Sequence, residues 1–318
     1  MKKIAAAATC LLMGASLFSQ QDPHFTMYMF NKQVINPGYV GSRPGTYIQG
    51  LYRTQWVGLD GAPTTFNLGA HGTVKDKRIA LGGYALNDKL GVSQHTGLYG
   101  QYAYQAELNG DATLSLGLQA GVTRYHAKLR DLQQPTWAYA SGDVLLANDI
   151  QSAWLPNLGF GAYLSNEMFY VGASVPHLID NYYDKDQDLS GVTKAARQYK
   201  HYFLMGGIRF DLSDKFALQP QVIAKFVSGT DITVPFDADL DLGMIFNNII
   251  MFGLAYRLDD SFDAYLRAQV TKNLSIGYAY DLTVSELKSY TSGSHEVLIG
   301  WEFGERIQKV VGPRLWTF

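Results

Sequence analysis

The sequence predicts an all-β fold: a transmembrane antiparallel outer-membrane β-barrel of about 14 strands. Three observations predict it. The amino end carries an export signal, no apolar run beyond it is long enough for a transmembrane helix, and segments of alternating apolar and polar residues recur along the chain.

The export signal comes first. Lys2 and Lys3 precede the apolar run Ile4 to Phe18, and the polar Ser19-Gln20-Gln21-Asp22 follows. A short positive region, an apolar stretch too brief to span a bilayer and small residues near its exit define a secretory signal peptide, with cleavage expected after Ser19. The single cysteine, Cys10, lies inside residues 1–19, so the exported chain is expected to be free of cysteine and of disulfides. Charged residues make up 17% of the chain with a net charge of −2, which gives no electrostatic reason to expect nucleic acid. The 21 Tyr, 16 Phe and 32 Gly instead suit a lipid-facing sheet with aromatic girdles and small lumenal side chains.

Strand periodicity then sets the elements. In 112–123, Leu114, Leu116, Leu118 and Val122 share one face, while Thr113, Ser115, Gly117, Gln119 and Gly121 share the other. Segments 262–271 and 274–283 alternate in the same way. The expected spans are 46–57, 62–73, 78–87, 95–108, 111–125, 156–164, 167–177, 200–211, 215–227, 233–246, 248–258, 261–271, 273–284 and 294–304. Tight turns follow the fourth, sixth, eighth, tenth and twelfth, at Asn109-Gly110, Ser165-Asn166, Leu212-Ser213-Asp214, Asn247 and Lys272. Long connections follow the fifth and seventh, over 126–155 and 178–199. Outer-membrane barrels place short turns in the periplasm and long loops outside, so both termini are expected to be periplasmic. The domains predicted are 1–19 signal peptide, 20–45 amino-terminal periplasmic or plug segment, 46–304 transmembrane β-barrel and 305–318 carboxyl tail. Tyr99, Tyr102, Tyr104, Tyr278 and Tyr280 are candidate girdle residues, and Trp316 and Phe318 give an aromatic carboxyl end.

Strand phase also places charges. With Phe236, Ala238, Leu240 and Leu242 toward lipid, Asp237, Asp239 and Asp241 face the lumen, and Arg209, Lys225, Arg257 and Arg267 point inward in the same phase. A paired charge ladder is preferred to a metal site, because alternate strand residues lie ~7 Å apart and do not converge on one ion. No metal or other cofactor is expected. Ser294-His295-Glu296 does not form a catalytic constellation, since successive strand residues point to opposite faces. His71, His95, His177 and His201 lie near strand ends and are assigned to the interface; the run Asp184 to Asp188 is assigned to a solvated loop tip. No enzyme activity is predicted.

Two stretches carry a sharper signal. One is Gln21-Asp22-Pro23-His24-Phe25-Thr26-Met27-Tyr28-Met29-Phe30-Asn31 leading to Asn36-Pro37-Gly38-Tyr39-Val40-Gly41-Ser42. The other is Tyr52-Arg53-Thr54-Gln55-Trp56-Val57-Gly58-Leu59-Asp60-Gly61-Ala62-Pro63-Thr64-Thr65. Together they resemble the PorP/SprF family of type IX secretion system membrane proteins from Bacteroidota. Asn87-Asp88-Lys89-Leu90-Gly91 and Pro156-Asn157-Leu158-Gly159-Phe160-Gly161 extend the resemblance over most of the chain. Gly312-Pro313-Arg314 departs from it by lacking a preceding cysteine.

The resemblance implies a non-enzymatic barrel serving secretion. It implies partners among type IX secretion proteins, a cargo C-terminal domain or large surface adhesin of gliding, and a periplasmic peptidoglycan-binding protein. The alternative is a passive or gated transporter for small apolar or oligosaccharide solutes. Phe25, Tyr28, Phe30, Asn36, Pro37, Tyr39, Arg53 and Trp56 are the candidate plug or partner-binding residues. Residues 20–45 are aromatic-rich and interrupted by Pro37 and Pro44, so the segment is expected to fold into the lumen or seal its periplasmic mouth, with a disordered tether as the alternative.

Overall fold

The computed structural model describes residues 23–43, 45–74, 78–108, 112–132, 149–181, 198–229, 232–233 and 236–303. The expected signal peptide with Cys10, the Asn109-Gly110 turn, the Asp184 to Asp188 run and the carboxyl tail lie outside them.

Fourteen long strands form one closed antiparallel sheet. They are β1 Thr46–Thr54, β2 Thr64–Thr73, β3 Ile79–Leu90, β4 Ser93–Glu107, β5 Thr113–Ala127, β6 Leu155–Ser165 and β7 Phe169–Val175. The second half is β8 Lys200–Ile208, β9 Phe216–Gly229, β10 Asp237–Phe246, β11 Ile250–Arg257, β12 Ser261–Gln269, β13 Leu274–Thr283 and β14 Ser294–Phe303. Two-residue extensions at 150–151, 210–211 and 232–233 lengthen neighbouring ladders. Closure comes from β1 pairing with β14, from Thr46 opposite Phe303 to Thr54 opposite His295. With no sheet edge left, the backbone groups of every strand are satisfied within the barrel, as hydrocarbon requires.

Period-2 alternation sets which residues face lipid. On β1, Ile48 and Tyr52 point out while Tyr47, Gln49, Leu51 and Arg53 are buried inside. On β5, Leu116 and Leu118 are outward, and Ser115 and Gln119 inward. Exposed Leu254 on β11 and Leu282 on β13 belong to the same apolar outer band. No helix among the described residues is long and apolar enough to cross a membrane, so the strands are the crossing elements. Ala238 departs from its expected lipid-facing place and is buried. Tyr99 departs too: it faces inward, stacks on Tyr84 at 4.7 Å and bonds His177 Nε2 at 3.0 Å. Its girdle partners Tyr102, Tyr104 and Tyr278 are exposed on the outer face.

The connections sort by end. Those after even strands, 74–78, 108–112, 166–168, 209–215, 247–249 and 270–273, are all short. At 247–249, Asn247 and Asn248 take φ values of 49° and 52°, and Ile249 N–H bonds Phe246 C=O at 2.9 Å. That is a hairpin turn with two left-handed residues, which asparagine tolerates best after glycine. At 166–168 the Asn166 Oδ1 accepts from the N–H groups of Met168 and Phe169. The long connections, 128–154 and 176–199, are both at the opposite end. Tight turns occur at that end as well, at 91–92 and 258–260, so shortness is not confined to one end as the sequence suggested.

Residues 23–43 run inside the barrel. From Phe25 to Arg43 every residue except Val34 and Ser42 is buried, in short helical turns at Tyr28–Phe30, Lys32–Ile35 and Pro37–Tyr39.

Candidate functional site

The lumen and the segment that crosses it form the site, and its direction follows from three sets of contacts. Near the long-loop end, the N–H groups of Thr26 and Met27 donate to the Glu296 carboxylate at 2.9 and 2.8 Å. Thr26 Oγ1 donates to Asp281 at 2.6 Å, and Arg53 donates to Thr26 Oγ1, Glu296 and Asp281 at 2.8, 3.2 and 2.6 Å. Arg53 and Glu296 stand directly opposite each other across the β1–β14 seam. Two buried carboxylates share one guanidinium and two peptide N–H donors, an arrangement in which charge-assisted bonds offset desolvation.

At mid-height the wall is stripped of side chains to admit the segment. Gly117 and Gly161 are register partners on β5 and β6. A Cβ on Gly117 would lie 2.2 Å from the Pro37 carbonyl carbon, and one on Gly161 would lie 2.1 Å from Asn36 Oδ1. Asn36 sits in this hollow with its Oδ1 accepting from Gly38 N–H at 2.8 Å and its Nδ2 donating to Ala162 C=O at 3.0 Å. Gln33 Nε2 donates to Gln101, whose own Nε2 returns a bond to Gln33 C=O at 2.9 Å. Lys32 is buried with its Nζ 3.7 Å above the Tyr170 ring, and Tyr39 and Tyr163 complete an aromatic surround.

Toward the short-turn end, Tyr39 packs edge-on against Tyr163 and His71, Gly41 N–H donates to His71 Nδ1 at 3.2 Å, and Arg43 pairs with Glu302 at 2.9 Å. The segment therefore crosses from one end of the barrel to the other. Pro23 stands at the long-loop end and Phe303 at the short-turn end. β1 starts at the short-turn end, and residues 23–43 ahead of it double back through the lumen.

Seven of the eight candidate plug residues come together here. Phe25, Tyr28, Phe30, Asn36, Pro37, Tyr39 and Arg53 are all buried. Phe30 lies edge-on to Tyr265 at 6.1 Å and beneath the Arg267 guanidinium at 4.6 Å. Trp56 is the exception: half-buried on the β1–β2 connection with φ 51°, it donates its N–H to Ser294 Oγ at 3.2 Å.

The predicted charge ladder divides into separate groups. Arg257 makes a forked contact with Asp239 at 3.0 Å and approaches Asp263 at 3.9 Å and Asp260 at 3.6 Å. Asp241 is buried and accepts from Gln221 and Tyr265 at 2.9 and 3.0 Å. Lys225 lies opposite Asp237 in register, 3.2 Å from His24 Nε2. His24 Nδ1 stands 3.6 Å from the Asp237 carboxylate. Arg267 bonds Ser275 at 2.9 Å and covers Phe30, away from the aspartates. Arg209 is a correction: it sits at the short-turn rim on Asp211 and Asn248, because the strand breaks at 209. His71, His177 and His201 are corrections as well, buried in the lumen rather than at the interface. Replacing Arg257 with Gln is expected to destabilise the barrel by about 2–3 kcal/mol, as hydrogen bonds to buried carboxylates are lost. The measurement is the temperature at which the heat-modifiable gel band converts to the unfolded form.

The residues that sequence reasoning missed are Thr26, Gln33, Gly117, Gly161, Asp281 and Glu296. Strand alternation gave the lumenal phase of Gly117, Gly161, Asp281 and Glu296 but not what each meets, and Thr26 and Gln33 lie in no strand and had no phase to read.

Between the segment and the wall there remains a cavity of ≈70 Å³, bounded by Phe25, Tyr28, Ile35, Leu86, Phe203 and Ile223.

A closed antiparallel barrel with an apolar outer band and a polar interior defines an outer-membrane β-barrel, consistent with an integral outer-membrane location. Residues 17–301 match the family model for the type IX secretion system membrane protein PorP/SprF, and the chain belongs to that family. No curated protein matches the sequence. Among solved structures, the chain is similar to the CymD monoaromatic hydrocarbon channel, with 14% identity, a TM-score of 0.51, and coverage of 88% of this chain and 94% of that one. It is also similar to a Pseudomonas aeruginosa FadL homologue (12%, TM-score 0.48, covering 92% and 96%) and to the KdgM porin (10%, TM-score 0.39, covering 81% and 99%). At these identities the likeness is one of fold.

Proposed function

We propose that this protein is a non-enzymatic component of the type IX secretion system that docks partner proteins and assists secretion or surface attachment of cargo such as gliding adhesins. Family membership supports the secretion role. The observation that carries the docking reading is the occupied lumen: a segment of the protein's own chain, buried from Phe25 to Val40 except at Val34, fills the space a solute would need. A barrel filled in this way serves as a scaffold with two faces rather than as a conduit. The transporter alternative requires a path past the segment, whose Phe25, Tyr28 and Ile35 stand between the strands and line the cavity beside the wall.

In this reading the short-turn end faces the periplasm, as in outer-membrane barrels generally. It meets periplasmic components of the machine, including a peptidoglycan-binding protein. The long-loop face meets the cargo C-terminal domain or a large adhesin.

Affinity purification from native membranes tests the proposal. Recovery of other type IX secretion proteins, or of a cargo C-terminal domain, is the expected result. In planar bilayers the intact protein is expected to be electrically near-silent. A large stable conductance, or uptake of a defined solute into liposomes without any co-purifying secretion protein, would overturn it.

A further inference from the structure

The outward face of the barrel changes character over three neighbouring strands at the long-loop end. On β5 it reads Leu116, Leu118, Ala120 and Val122, then Arg124 and His126, with exposed Lys128 two residues further on. On β4 it passes from Leu98 to Thr96 and Gln94, and on β3 from Ala85 to Asn87 and Lys89. Strand register gathers these residues into one patch. Asn87 stands opposite Thr96 and Lys89 opposite Gln94, while Thr96 stands opposite Arg124 and Gln94 opposite His126. The N–H of Lys128 bonds Val92 C=O at 3.0 Å, which carries the β4–β5 ladder one step beyond the strands.

Elsewhere at this end the outward face carries aromatics: Tyr52 on β1, Phe66 on β2, Tyr202 on β8, Phe226 on β9 and Phe236 just ahead of β10. Aromatics of this kind form the belt at a membrane interface, and β3 to β5 interrupt it with cations. Acids close by in the chain are turned elsewhere. Asp88 points to the lumen and accepts from Thr65 Oγ1 at 2.6 Å, and Asp149 accepts the Arg130 N–H at 3.0 Å. Lys200, another outward cation at this end, is paired with Asp180 at 3.7 Å. Among the described residues Lys89, Arg124 and Lys128 make no ion pair.

We infer that this patch holds the phosphate headgroup of an anionic lipid, whose acyl chains lie on Leu98, Val122 and Leu118 beneath it. Arg124 supplies a guanidinium fork and Lys89 and Lys128 supply ammonium groups, the donors that phosphate oxygens take best. Position decides for a lipid over an acidic protein. Lys89 and Arg124 stand on the strands themselves and face sideways, each directly above an apolar residue of the outer band, where headgroups lie and a protein partner does not reach. With long loops outside, as in outer-membrane barrels generally, the lipid belongs to the outer leaflet. The inference rests on the barrel lying in a membrane and not on the docking role.

The test titrates the full-length protein, in a neutral detergent, with phosphatidylglycerol or phosphatidylcholine and counts bound lipid by native mass spectrometry. Phosphatidylglycerol is expected to bind in preference. Its affinity is expected to fall about fivefold with each of Lys89→Gln, Arg124→Gln and Lys128→Gln, the step one basic residue contributes at an anionic membrane surface. Arg124→Lys keeps most of the preference, and Lys215→Gln at the short-turn end leaves it unchanged. The heat-modifiable gel band establishes that each variant is folded. Inorganic phosphate at the same concentration is expected to leave the lipid in place; displacement by phosphate alone would make the patch a free-anion site and overturn the inference. Equal binding of the two lipids, or a triple Gln variant with the preference of the wild type, would also overturn it. If that triple variant instead lost proteins that co-purify with the wild type while its lipid preference held, the patch would belong to a protein partner.

Discussion

Replacing Arg53 with Met is expected to cost about 3–5 kcal/mol of barrel stability, the loss found when one partner of a buried ion cluster is removed. Arg53 is 1% exposed and bonds Asp281 at 2.6 Å, Glu296 at 3.2 Å and Thr26 Oγ1 at 2.8 Å. The methionine fills most of the volume but supplies no donors, leaving two buried carboxylates close together. Glu296 keeps the N–H groups of Thr26 and Met27, whereas Asp281 keeps only the Thr26 hydroxyl among the bonds described here. Asp281 is left with the poorer set of donors, so Arg53→Met combined with Asp281→Asn is expected to recover part of the loss. The measurement is the conversion temperature of the heat-modifiable band, with urea midpoints in detergent as a second reading. A single variant as stable as the wild type would show that the clamp does not hold the seam.

Replacing both Gly117 and Gly161 with Val is expected to drive the segment out of the lumen while the strands themselves remain paired. Valine suits a strand, so the sheet has no local objection. The new side chains would nonetheless fall within 2.2 Å of the Pro37 backbone and 2.1 Å of Asn36 Oδ1, and overpacking of this kind costs about 1–3 kcal/mol or displaces what it strikes. Here the struck object is not part of the wall. Discrete open-channel steps in planar bilayers are the expected outcome, against a near-silent wild type. A folded double variant that stays silent would show that something other than this segment closes the barrel.

Much of the barrel was legible in the sequence because hydrocarbon and lumen impose opposite demands on alternate residues. Leu116 beside Gly117, or Phe262 beside Asp263, declares strand, face and phase at once. The ends of strands were less legible. β3 runs past its expected end at 87 to Leu90 and turns at Gly91; in the barrel Asn87 bonds Thr96 and Asp88 bonds Thr65 across neighbouring strands. Arg209 shared the inward phase of the charge ladder and still missed it, because phase is lost where a strand breaks.

The sequence by itself determined that this protein is an outer-membrane β-barrel, which face most strand residues turn to lipid, and that an aromatic amino-terminal stretch sets it within its family. Those properties follow from local periodicity and composition. The tertiary structure alone decided that residues 23–43 run through the lumen from the long-loop end, that Gly117 and Gly161 exist to admit Pro37 and Asn36, and that Arg53 joins Asp281 and Glu296. Each of these is a contact between residues far apart in the chain, and a two-residue period says which way a side chain points without saying what will be there to meet it.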